Sequence, residues 1–329
     1  MSFDSLKNKV VLVTGATGSF GQRFITRLLE DSDAKKIIIF SRDELKQSEM
    51  QTKFRGYEDR LRFFLGDVRD VDRLQRAFDG VDVVVHAAAL KQVPALEYNP
   101  FEAIKTNVLG TQNVITAALD QGVEKVVLIS TDKAANPANL YGATKLCAEK
   151  LVVSSNYYSG NKNTRFSVVR YGNVFGSRGS LIKVLEDQKK TGKVNLTHED
   201  MTRFWITLDQ GIELVMLALD KMHGGEVFIP KVPSMKVKDM IQKLAPGCEI
   251  NVVGIRPGEK IHEVLITPEE ARHTKEFKDF YVIIPESDWW KRENHQDGKD
   301  LPVDFYFSSL NNTWWLDEKS FGNLLNSIL

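Results

Sequence analysis

The stretch at residues 9–21, KVVLVTGATGSFG, decides the fold. Residues 9–14 form a short apolar run that is typical of a buried strand, and a helix pattern follows the glycines to about Glu30. Glycines at positions 15, 18 and 21 allow a tight turn, a close approach of the backbone to a pyrophosphate and close packing of the helix on the strand. Because a helix N-terminus also favours phosphate charge, strand, turn and helix together predict a dinucleotide-binding unit rather than a turn without a ligand.

Similar strand patterns recur along the first half of the chain. They lie at residues 36–40, 61–65, 81–86, 125–130 and 165–171, and helix patterns separate them. Strands that alternate with helices over short connections form a parallel, doubly wound sheet. Patterns after residue 172 are shorter and mixed. We therefore predict an α/β protein with a Rossmann-type domain at residues 1–172, and a smaller domain at residues 173–329 that mainly binds substrate and returns some segments to the sheet.

The composition is that of an ordinary globular chain. Its 329 residues include 44 basic and 44 acidic side chains, and this balance argues against a general nucleic-acid or membrane-surface binder. The two cysteines, Cys147 and Cys248, fit a reducing compartment and are too few for a disulfide framework or a metal site. No apolar run approaches about 20 residues and the N-terminus lacks a secretory pattern, so we expect a cytoplasmic protein without a membrane or nucleic-acid partner.

The end of the second predicted strand bears on the choice of dinucleotide. The strand continues into Ser41, Arg42 and Asp43. An acidic residue at this position holds the ribose 2′-hydroxyl of NAD, whereas an arginine meets the 2′-phosphate of NADP. Ser41 and Arg42 favour NADP, and Asp43 keeps NAD open as the lesser option. Arg42 is alternatively a solvated charge at the start of the next helix.

Polar and small residues follow the next two strands. Asp67 is placed to accept a hydrogen bond from an adenine amino group, or to cap the helix that begins near Asp70. Three alanines at residues 87–89 are small enough for a ribose and a diphosphate to lie against the backbone. A helix pattern at residues 100–121 carries Asn107, which is either an active-site hydrogen-bonding residue or a polar position at the edge of the core.

Residues 130–145, STDKAANPANLYGATK, follow the fifth predicted strand and so lie beside the nicotinamide end of a bound dinucleotide. Four positions are about one helical turn, so Tyr141 and Lys145 share a helix face. An ammonium group beside a phenol favours the phenolate, which makes this pair a candidate base for a sugar or alcohol hydroxyl. The alternative is a Tyr and Lys pair that only stabilises a helix. Together, the predicted cofactor-binding residues are Gly15, Thr17, Gly18, Ser19, Phe20, Gly21, Ser41, Arg42, Asp43, Asp67, Val68, Ala87, Ala88, Ala89, Asn107, Tyr141 and Lys145.

Asp132 and Lys133 lie where the fifth strand ends, which is where open α/β sheets bind their ligands. A carboxyl group and an amine opposite Tyr141 supply an acid and a second base for one reaction. The alternative is a solvated ion pair in a loop.

Several motifs resemble the extended short-chain dehydrogenase/reductase superfamily: TGATGSFG at residues 14–21, YGATK at residues 141–145 and YGNVFGSRGS at residues 171–180. Within it, ALKQVPALEYNPFEAIKTN (residues 89–107), STDKAANPANLYGATK, RFWITL (203–208) and GIRPGEK (254–260) resemble the configuration-inverting UDP-N-acetylglucosamine 4,6-dehydratases. The resemblance extends from about residue 5 to residue 265, and the chain from about Thr267 offers less to compare.

Lys133 distinguishes between members of this superfamily. Dehydratases that retain configuration resemble this chain up to a Thr-Asp-Glu triplet, whereas residues 131–133 here read Thr-Asp-Lys. Sugar 4-epimerases generally lack the acid and base pair. The resemblance therefore favours dehydration with inversion at carbon 5. The alternatives are a retaining nucleotide-sugar dehydratase, a 4-epimerase and a non-catalytic regulator that binds NADP.

The resemblance implies UDP-N-acetylglucosamine as substrate, a tightly held NADP and a homo-oligomer, either a dimer or a hexamer. The product would be UDP-2-acetamido-2,6-dideoxy-β-L-arabino-hex-4-ulose, made in the first step of pseudaminic acid biosynthesis. Tyr141 with Lys145 would act at the 4-hydroxyl, Thr131 would bond the 4-oxygen, Lys133 would take the carbon 5 proton and Asp132 would protonate the departing 6-hydroxyl. The implied sugar-nucleotide residues are Lys91, Asn173, Val174, Ser180, Arg203, Arg256, which is the candidate for the diphosphate, and Glu259.

Overall fold

One large sheet carries most of the strands. The computed structural model describes residues 3–160, 162–176, 185, 187–287, 290–291 and 293–326. Its strands are β1 (Val10–Thr14), β2 (Lys36–Ser41), β3 (Leu61–Leu65), β4 (Val83–His86), β5 (Lys125–Thr131), β6 (Arg165–Tyr171), β7 (Asn173–Val174), β8 (Lys193–Leu196), β9 (Thr202–Ile206), β10 (Val227–Pro230), β11 (Ser234–Lys236), β12 (Glu249–Val252), β13 (Val264–Ile266), β14 (Thr274–Glu276), β15 (Phe280–Ile283), β16 (Lys299–Asp300) and β17 (Phe307–Ser308). Within these described residues, ten strands form a sheet in the order β16-β14-β15-β10-β6-β5-β4-β1-β2-β3.

The centre of this sheet is parallel. The strands from β10 through β6, β5, β4, β1 and β2 to β3 pair in parallel. Antiparallel pairing joins β15 to β10, and β14 to both β15 and β16. The order β3-β2-β1-β4-β5-β6 is that of a Rossmann-type sheet. The predicted doubly wound α/β fold is therefore confirmed, and strands that follow residue 172 extend the sheet on one side.

The α-helices of the described residues mostly flank the parallel strands. They are α1 (Ser19–Asp31), α2 (Glu44–Lys53), α3 (Val71–Phe78), α4 (Val93–Tyr98), α5 (Pro100–Ala103), α6 (Gly110–Gln121), α7 (Leu140–Ser154), α8 (Leu208–Lys221), α9 (Val237–Leu244), α10 (Pro268–Ala271) and α11 (Glu318–Asn326). A π-helical turn, Ile104–Leu109, joins α5 to α6, so the helix pattern at residues 100–121 is not one uniform α-helix. Turns of this kind occur often at functional sites. None of the described helices combines the length and the apolar composition that a membrane-spanning helix requires.

The strand register brings several loops to one edge of the sheet. Thr14 at the end of β1 lies opposite both Phe40 and His86, and Thr131 at the end of β5 lies opposite Tyr171. Because these strands are parallel, their carboxyl ends meet at the same edge. The glycine-rich turn, the alanine run and the loop that begins with Asp132 therefore meet in space.

The second half of the chain adds three small sheets beside this edge. They have the orders β11-β9-β7, β12-β8 and β13-β17. A second apolar core lies among them, where Phe175 stacks on Trp205 with ring centroids 4.5 Å apart and Phe321 packs against Phe175. Trp205 also faces the large cavity described below, so this core supports one of its walls.

A buried arginine fixes the segment after residue 260 to the main sheet. Arg170 on β6 is 1% exposed and contacts Glu149 on α7 at 2.5 Å and Glu270 on α10 at 2.8 Å. Its guanidinium also donates to the Leu265 carbonyl oxygen at 2.9 Å. Charge-assisted bonds of this type are short and geometrically specific. They hold β13 and the residues just before it next to the carboxyl end of the sheet.

Candidate active site

A cavity of about 610 Å³ lies at the carboxyl ends of the parallel strands, which is where open α/β sheets bind ligands. Most of the predicted site residues line it. They are Gly15, Thr17, Gly18, Ser19, Phe20, Gly21, Ser41, Arg42, Asp43, Asp67, Val68, Ala87, Ala88, Ala89, Lys91, Thr131, Lys133, Tyr141, Lys145, Asn173 and Val174. Five other predicted residues do not line the cavity, namely Asn107, Asp132, Arg203, Arg256 and Glu259. Ser180 lies outside the described residues.

The glycine-rich turn has the shape that a dinucleotide diphosphate needs. Gly15 has a φ of +65°, and a Cβ there would lie 2.7 Å from the Ala88 backbone nitrogen. A Cβ on Gly21 would lie 2.5 Å from the Ala16 Cα, so only glycine lets α1 pack this close to the turn. α1 begins after Gly18, whose lack of a side chain leaves the helix N-terminus open to a phosphate. The residues therefore fit the diphosphate of a dinucleotide.

The outer end of the cavity combines two cations with two carboxylates. Asp43 accepts from the Lys46 backbone N–H at 3.0 Å, which caps α2, and its carboxylate also contacts the Lys46 ammonium. Asp67 accepts from the Arg69 N–H at 3.0 Å and lies 3.8 Å from the Arg42 guanidinium. Lys46 lines the cavity but was not predicted, although its place in the first turn after Arg42 was a usable signal. Asp43 is thus engaged with its own helix and with Lys46, whereas Arg42, whose side chain is 57% exposed, presents positive charge.

The sequence left open whether Asp67 caps the helix that begins near Asp70. In the structure, the residue that caps this helix, α3, is Asp70 itself. Its carboxylate accepts from the Arg73 backbone N–H at 3.0 Å. Asp67 therefore does not cap this helix and stays at the cavity wall.

Asn107 lies behind the cavity wall, in the π-helical turn. It is 1% exposed, and its side chain exchanges two hydrogen bonds with the Leu90 backbone, at 2.8 and 2.9 Å. Its amide also donates to the Thr144 hydroxyl at 3.0 Å, and that hydroxyl donates to the Tyr141 carbonyl oxygen at 2.8 Å. Asn107 therefore holds the loop after β4 against the helix that carries Tyr141.

Tyr141 lies in the first turn of α7, close to the loop after β5. Asn139 caps the helix by accepting from the Gly142 N–H at 2.8 Å. A Cβ on Gly142 would collide with the Lys133 carbonyl oxygen, so glycine lets α7 reach this loop. Burial raises the pKa of Tyr141 to about 12, and the nearby Lys133 ammonium partly opposes this rise.

Lys145, the predicted partner of Tyr141, makes its hydrogen bond to the end of β5. Its ammonium donates to the Ile129 carbonyl oxygen at 2.6 Å, and burial lowers its pKa to about 8. The predicted effect of Lys145 on the pKa of Tyr141 stays a prediction, since the Lys145 ammonium bonds the end of β5. The cation that favours the Tyr141 phenolate in this geometry is Lys133.

Asp132 and Lys133 form a close pair at the end of β5. The Lys133 Nζ lies 3.0 Å from Asp132 Oδ1, which also accepts from the Thr131 hydroxyl at 3.0 Å. Asp132 is fully buried, and its Oδ2 has no hydrogen-bond partner among the described residues. Burial raises the pKa of Asp132. This carboxyl group is therefore suited to carry a proton that it can donate.

A third member of this cluster, Glu263, was not predicted. Its Oε1 lies 3.1 Å from the Lys133 Nζ, and the side chain is almost completely buried. Burial alone would lower the pKa of Lys133, but the charges of Asp132 and Glu263 outweigh burial and raise that pKa. The Lys133 amine is accordingly protonated, and it also lies 3.4 Å from the Asn173 amide oxygen.

The predicted sugar-nucleotide residues separate into two groups. Lys91, Asn173 and Val174 line the cavity. Arg203 is 6% exposed, and its guanidinium donates to the Thr202, Ile261 and Lys260 carbonyl oxygens at 2.7 to 2.9 Å, which shapes the segment before Glu263.

Arg256 and Glu259 lie further along this segment. Glu259 lies 3.7 Å from the Arg203 guanidinium and accepts from the Arg256 backbone N–H at 3.3 Å. Arg256 is exposed on its loop and is not among the described residues that line the cavity.

Comparisons with known proteins agree with this arrangement. Residues 11–285 match the profile of the family described as polysaccharide biosynthesis protein. The chain belongs to this family. The UDP-N-acetylglucosamine 4,6-dehydratase (inverting) of Campylobacter jejuni strain 81-176 is 48% identical over 97% of both chains. The motif-based resemblance to that group of enzymes is therefore confirmed.

Two further similarities span most of the chain. The UDP-glucose 4-epimerase of Rickettsia conorii is 40% identical, over 91% of this chain and 86% of its own. The solved structure of Pen from Bacillus thuringiensis is 37% identical, covers 98% of both chains and has a TM-score of 0.90. Family members thus carry names for two reactions, and the side chains at the end of β5 bear on the choice between them.

Proposed function

We propose that the protein is an NADP-dependent UDP-N-acetylglucosamine 4,6-dehydratase that inverts the configuration at carbon 5. The observation that carries the proposal is the buried contact of 3.0 Å between Asp132 and Lys133, beside Tyr141. A dehydration needs an acid and a second base in addition to the base that acts at the 4-hydroxyl. The 48% identity to an enzyme of this name supports the same reaction.

The proposed cofactor is NADP rather than NAD. Asp43 already caps α2 and contacts Lys46, whereas Arg42 offers an exposed cation at the place where a 2′-phosphate would lie, and Lys46 lines the same cavity. Arginine and lysine both bind phosphate well. When bound, the nicotinamide supplies hydride chemistry, since it accepts a hydride from carbon 4 and returns it to carbon 6. The glycine-rich turn would hold the diphosphate, and Lys145 would face the nicotinamide end.

Tyr141 and Thr131 would act in the first step, the oxidation of carbon 4. Tyr141 would take the proton of the 4-hydroxyl as carbon 4 is oxidised, and Thr131 would bond the 4-oxygen. The Lys133 ammonium stabilises the phenolate that this proton transfer requires. The remote uridine diphosphate would supply binding energy that orients the hexose. Oxidation of carbon 4 then acidifies the proton on carbon 5.

Asp132 and Lys133 would carry out the dehydration. A proton shift across their 3.0 Å contact, from Nζ to Oδ1, converts the ion pair into a neutral amine and a carboxylic acid. The amine removes the proton from carbon 5, and the acid protonates the departing 6-hydroxyl, which is otherwise a poor leaving group. Return of the hydride to carbon 6, with transfer of a proton held by Lys133 or Tyr141 to the opposite face of carbon 5, would give the inverted 4-keto-6-deoxy sugar.

A 4-epimerase is the second candidate, because relatives with that name are 40% identical. Epimerisation at carbon 4 needs a base at the 4-hydroxyl and exchange of the sugar face, but no group that protonates a leaving hydroxyl. A buried Asp132 with a raised pKa would then have no chemical task. The dehydratase therefore accounts for more of the site.

The resemblance also leads us to propose the setting of the reaction. We place it in the cytoplasm, as the first step of pseudaminic acid biosynthesis, with substrate binding mainly after residue 172. We further propose a homo-oligomer, either a dimer or a hexamer. Large apolar side chains on adjacent helices support an interface, since Tyr98, Phe101 and Leu109 are 87%, 61% and 49% exposed.

Incubation of the purified protein with UDP-N-acetylglucosamine, without added cofactor, tests the proposal. Mass spectrometry is expected to find a nucleotide sugar that has lost one water, and the denatured protein is expected to release NADP. An unchanged mass with conversion to UDP-N-acetylgalactosamine would establish the epimerase instead.

A further inference from the structure

Glu263 lies at the centre of the charge cluster but has no place in the mechanism above. It precedes β13 and is 2% exposed. Its backbone is fixed, because its N–H donates to the Ser309 hydroxyl at 3.0 Å and its carbonyl accepts from the Ser309 N–H at 2.8 Å. A buried carboxylate held this firmly acts on every ionisable neighbour.

Three cations surround this carboxylate. Lys133 Nζ lies 3.1 Å from Oε1, Lys260 Nζ lies 3.5 Å from Oε2, and the Arg203 guanidinium lies 3.9 Å from Oε1. Burial alone would raise the pKa of Glu263, but these cations outweigh burial and hold its pKa at about 2. Glu263 is therefore ionised throughout the working pH range.

Asp132 has a different environment, although it shares Lys133 with Glu263. Its contacts are the Lys133 ammonium and the Thr131 hydroxyl, and its Oδ2 has no partner among the described residues. Burial and the charge of Glu263 both raise its pKa, whereas Lys133 opposes them. When two carboxylates lie in one site, the one with fewer cations takes the proton. Among the described residues, the charged or titratable side chains that act on the Asp132 and Lys133 pair are Tyr141, Arg203, Lys260 and Glu263, and Arg203 in turn contacts Glu259.

We propose that Glu263 is a positioning residue that acts through Asp132 and Lys133. Its fixed negative charge holds the Lys133 ammonium beside Asp132 and assigns the transferable proton to Asp132 rather than to itself. This inference rests on the proposed function, because it explains why the proton that leaves Lys133 in the dehydration goes to Asp132 and not to Glu263.

A distinctive pH effect follows from this role. Removal of one negative charge lowers the pKa of Asp132 and the pKa of Lys133 alike. The reactive form of the pair has a neutral Lys133 amine and a protonated Asp132, so both limbs of the rate profile report these two coupled groups together. Both limbs therefore move to lower pH together, which a purely structural role would not cause.

The first test compares the pH profile of dehydration in wild type, Glu263→Gln and Glu263→Asp. The Gln variant is expected to shift the whole profile to lower pH by about 1 to 3 units, the usual effect of one adjacent charge. The Asp variant keeps the charge and should return the profile to the wild-type position at a lower rate. Superimposed profiles for wild type and Glu263→Gln would overturn the proposal.

Two further variants serve as controls for the effect of Glu263→Gln on the pH profile. Glu226→Gln removes another fully buried carboxylate, which accepts from Ser167 at 2.6 Å beside β10 and does not line the cavity. It should lower stability without moving the profile, and a shift equal to that of Glu263→Gln would count against a specific role. Lys260→Met removes a cation that faces Glu263 and should move the profile to higher pH, so the proposal stays testable if the Gln variant does not fold.

A second measurement needs no turnover. Carbon NMR of protein labelled at the aspartate carboxyl groups, assigned with Asp132→Asn, gives the titration midpoint of Asp132. We expect a lower midpoint in Glu263→Gln, and an unchanged midpoint would refute the inference even in an active enzyme. A lower midpoint in a protein that does not dehydrate UDP-N-acetylglucosamine would support the role of Glu263 and refute the proposed function.

Discussion

Replacement of Lys133 by methionine should destabilise the protein in a strongly pH-dependent way. Lys133 lies 3.0 Å from Asp132 and 3.1 Å from Glu263, whose side chains are 0% and 3% exposed. Methionine keeps most of the side-chain length but removes the ammonium that the two carboxylates share. The variant therefore leaves two buried negative charges close together without this cation.

The expected magnitude follows from two competing costs. Loss of one partner from a buried ion pair costs about 3–5 kcal/mol. The alternative is to protonate Asp132, which costs about 1.4 kcal/mol for each pH unit above the ordinary aspartate pKa, or about 1.5 kcal/mol near pH 5 and about 5.6 kcal/mol near pH 8. The variant adopts whichever of these two states costs less free energy. We therefore expect a loss of unfolding free energy of about 1.5 kcal/mol near pH 5 and about 3–5 kcal/mol near pH 8.

The sign agrees with proton linkage. In the variant, the folded-state pKa of Asp132 lies above its unfolded value. Stability is therefore present at low pH and is lost as the pH rises through the folded-state pKa. Urea unfolding at both pH values, with linear extrapolation to water, measures the difference.

A matched control is Lys190→Met. Lys190 pairs with Asp187 at 3.0 Å, but their side chains are 76% and 68% exposed, so little change is expected at either pH. Equal stability of wild type and Lys133→Met at both pH values would refute the electrostatic reasoning. A loss of the same size at both pH values would also contradict it, because it would indicate lost packing.

Three other substitutions test separate parts of the account. Arg42→Ala should weaken NADP binding by about 10- to 100-fold, the value of one or two charge-assisted bonds, with NAD affinity unchanged in calorimetry. Equal losses for both dinucleotides would argue against a 2′-phosphate contact. Tyr141→Phe should lower the rate of hydride transfer by about 10² to 10⁴, measured as nicotinamide absorbance in a single turnover, and an unaffected rate would remove Tyr141 as the base. Gly15→Ala should cost about 1–3 kcal/mol of stability in urea unfolding, because its φ is +65°, and no loss would contradict the strained turn.

The central fold could be predicted from sequence because its signals are local. The apolar runs at residues 61–65 and 165–171 coincide with β3 and β6, and the other four predicted strands differ from the observed ones by one or two residues at their ends. The π-helical turn at Ile104–Leu109 was not predicted, since its apolar spacing resembles that of an α-helix. The strands after residue 230 are two to four residues long, too short to show a period, so their places in the sheets needed the structure.

The candidate site likewise contains residues that could be predicted from sequence and residues that could not. Residues 131–145 form one contiguous segment, so sequence alone predicted that Thr131, Lys133 and Tyr141 would lie together, and the structure brings them to one cavity. Glu263 joins them from far along the chain, through the fold rather than through a local pattern. Arg256 is exposed on its loop and is not among the described residues that line the cavity, so its predicted contact with the diphosphate stays a prediction.

Proton NMR of the product formed from UDP-N-acetylglucosamine in deuterated water tests the central claim most directly. It reports both the label at carbon 5 and the ring couplings that define configuration. The account predicts a 4-keto-6-deoxy sugar that is deuterated at carbon 5 and has inverted couplings. The same labelled ketone with retained couplings would contradict the assignment of inversion. Formation of UDP-N-acetylgalactosamine without solvent deuterium would contradict dehydration and the roles given to Asp132 and Lys133.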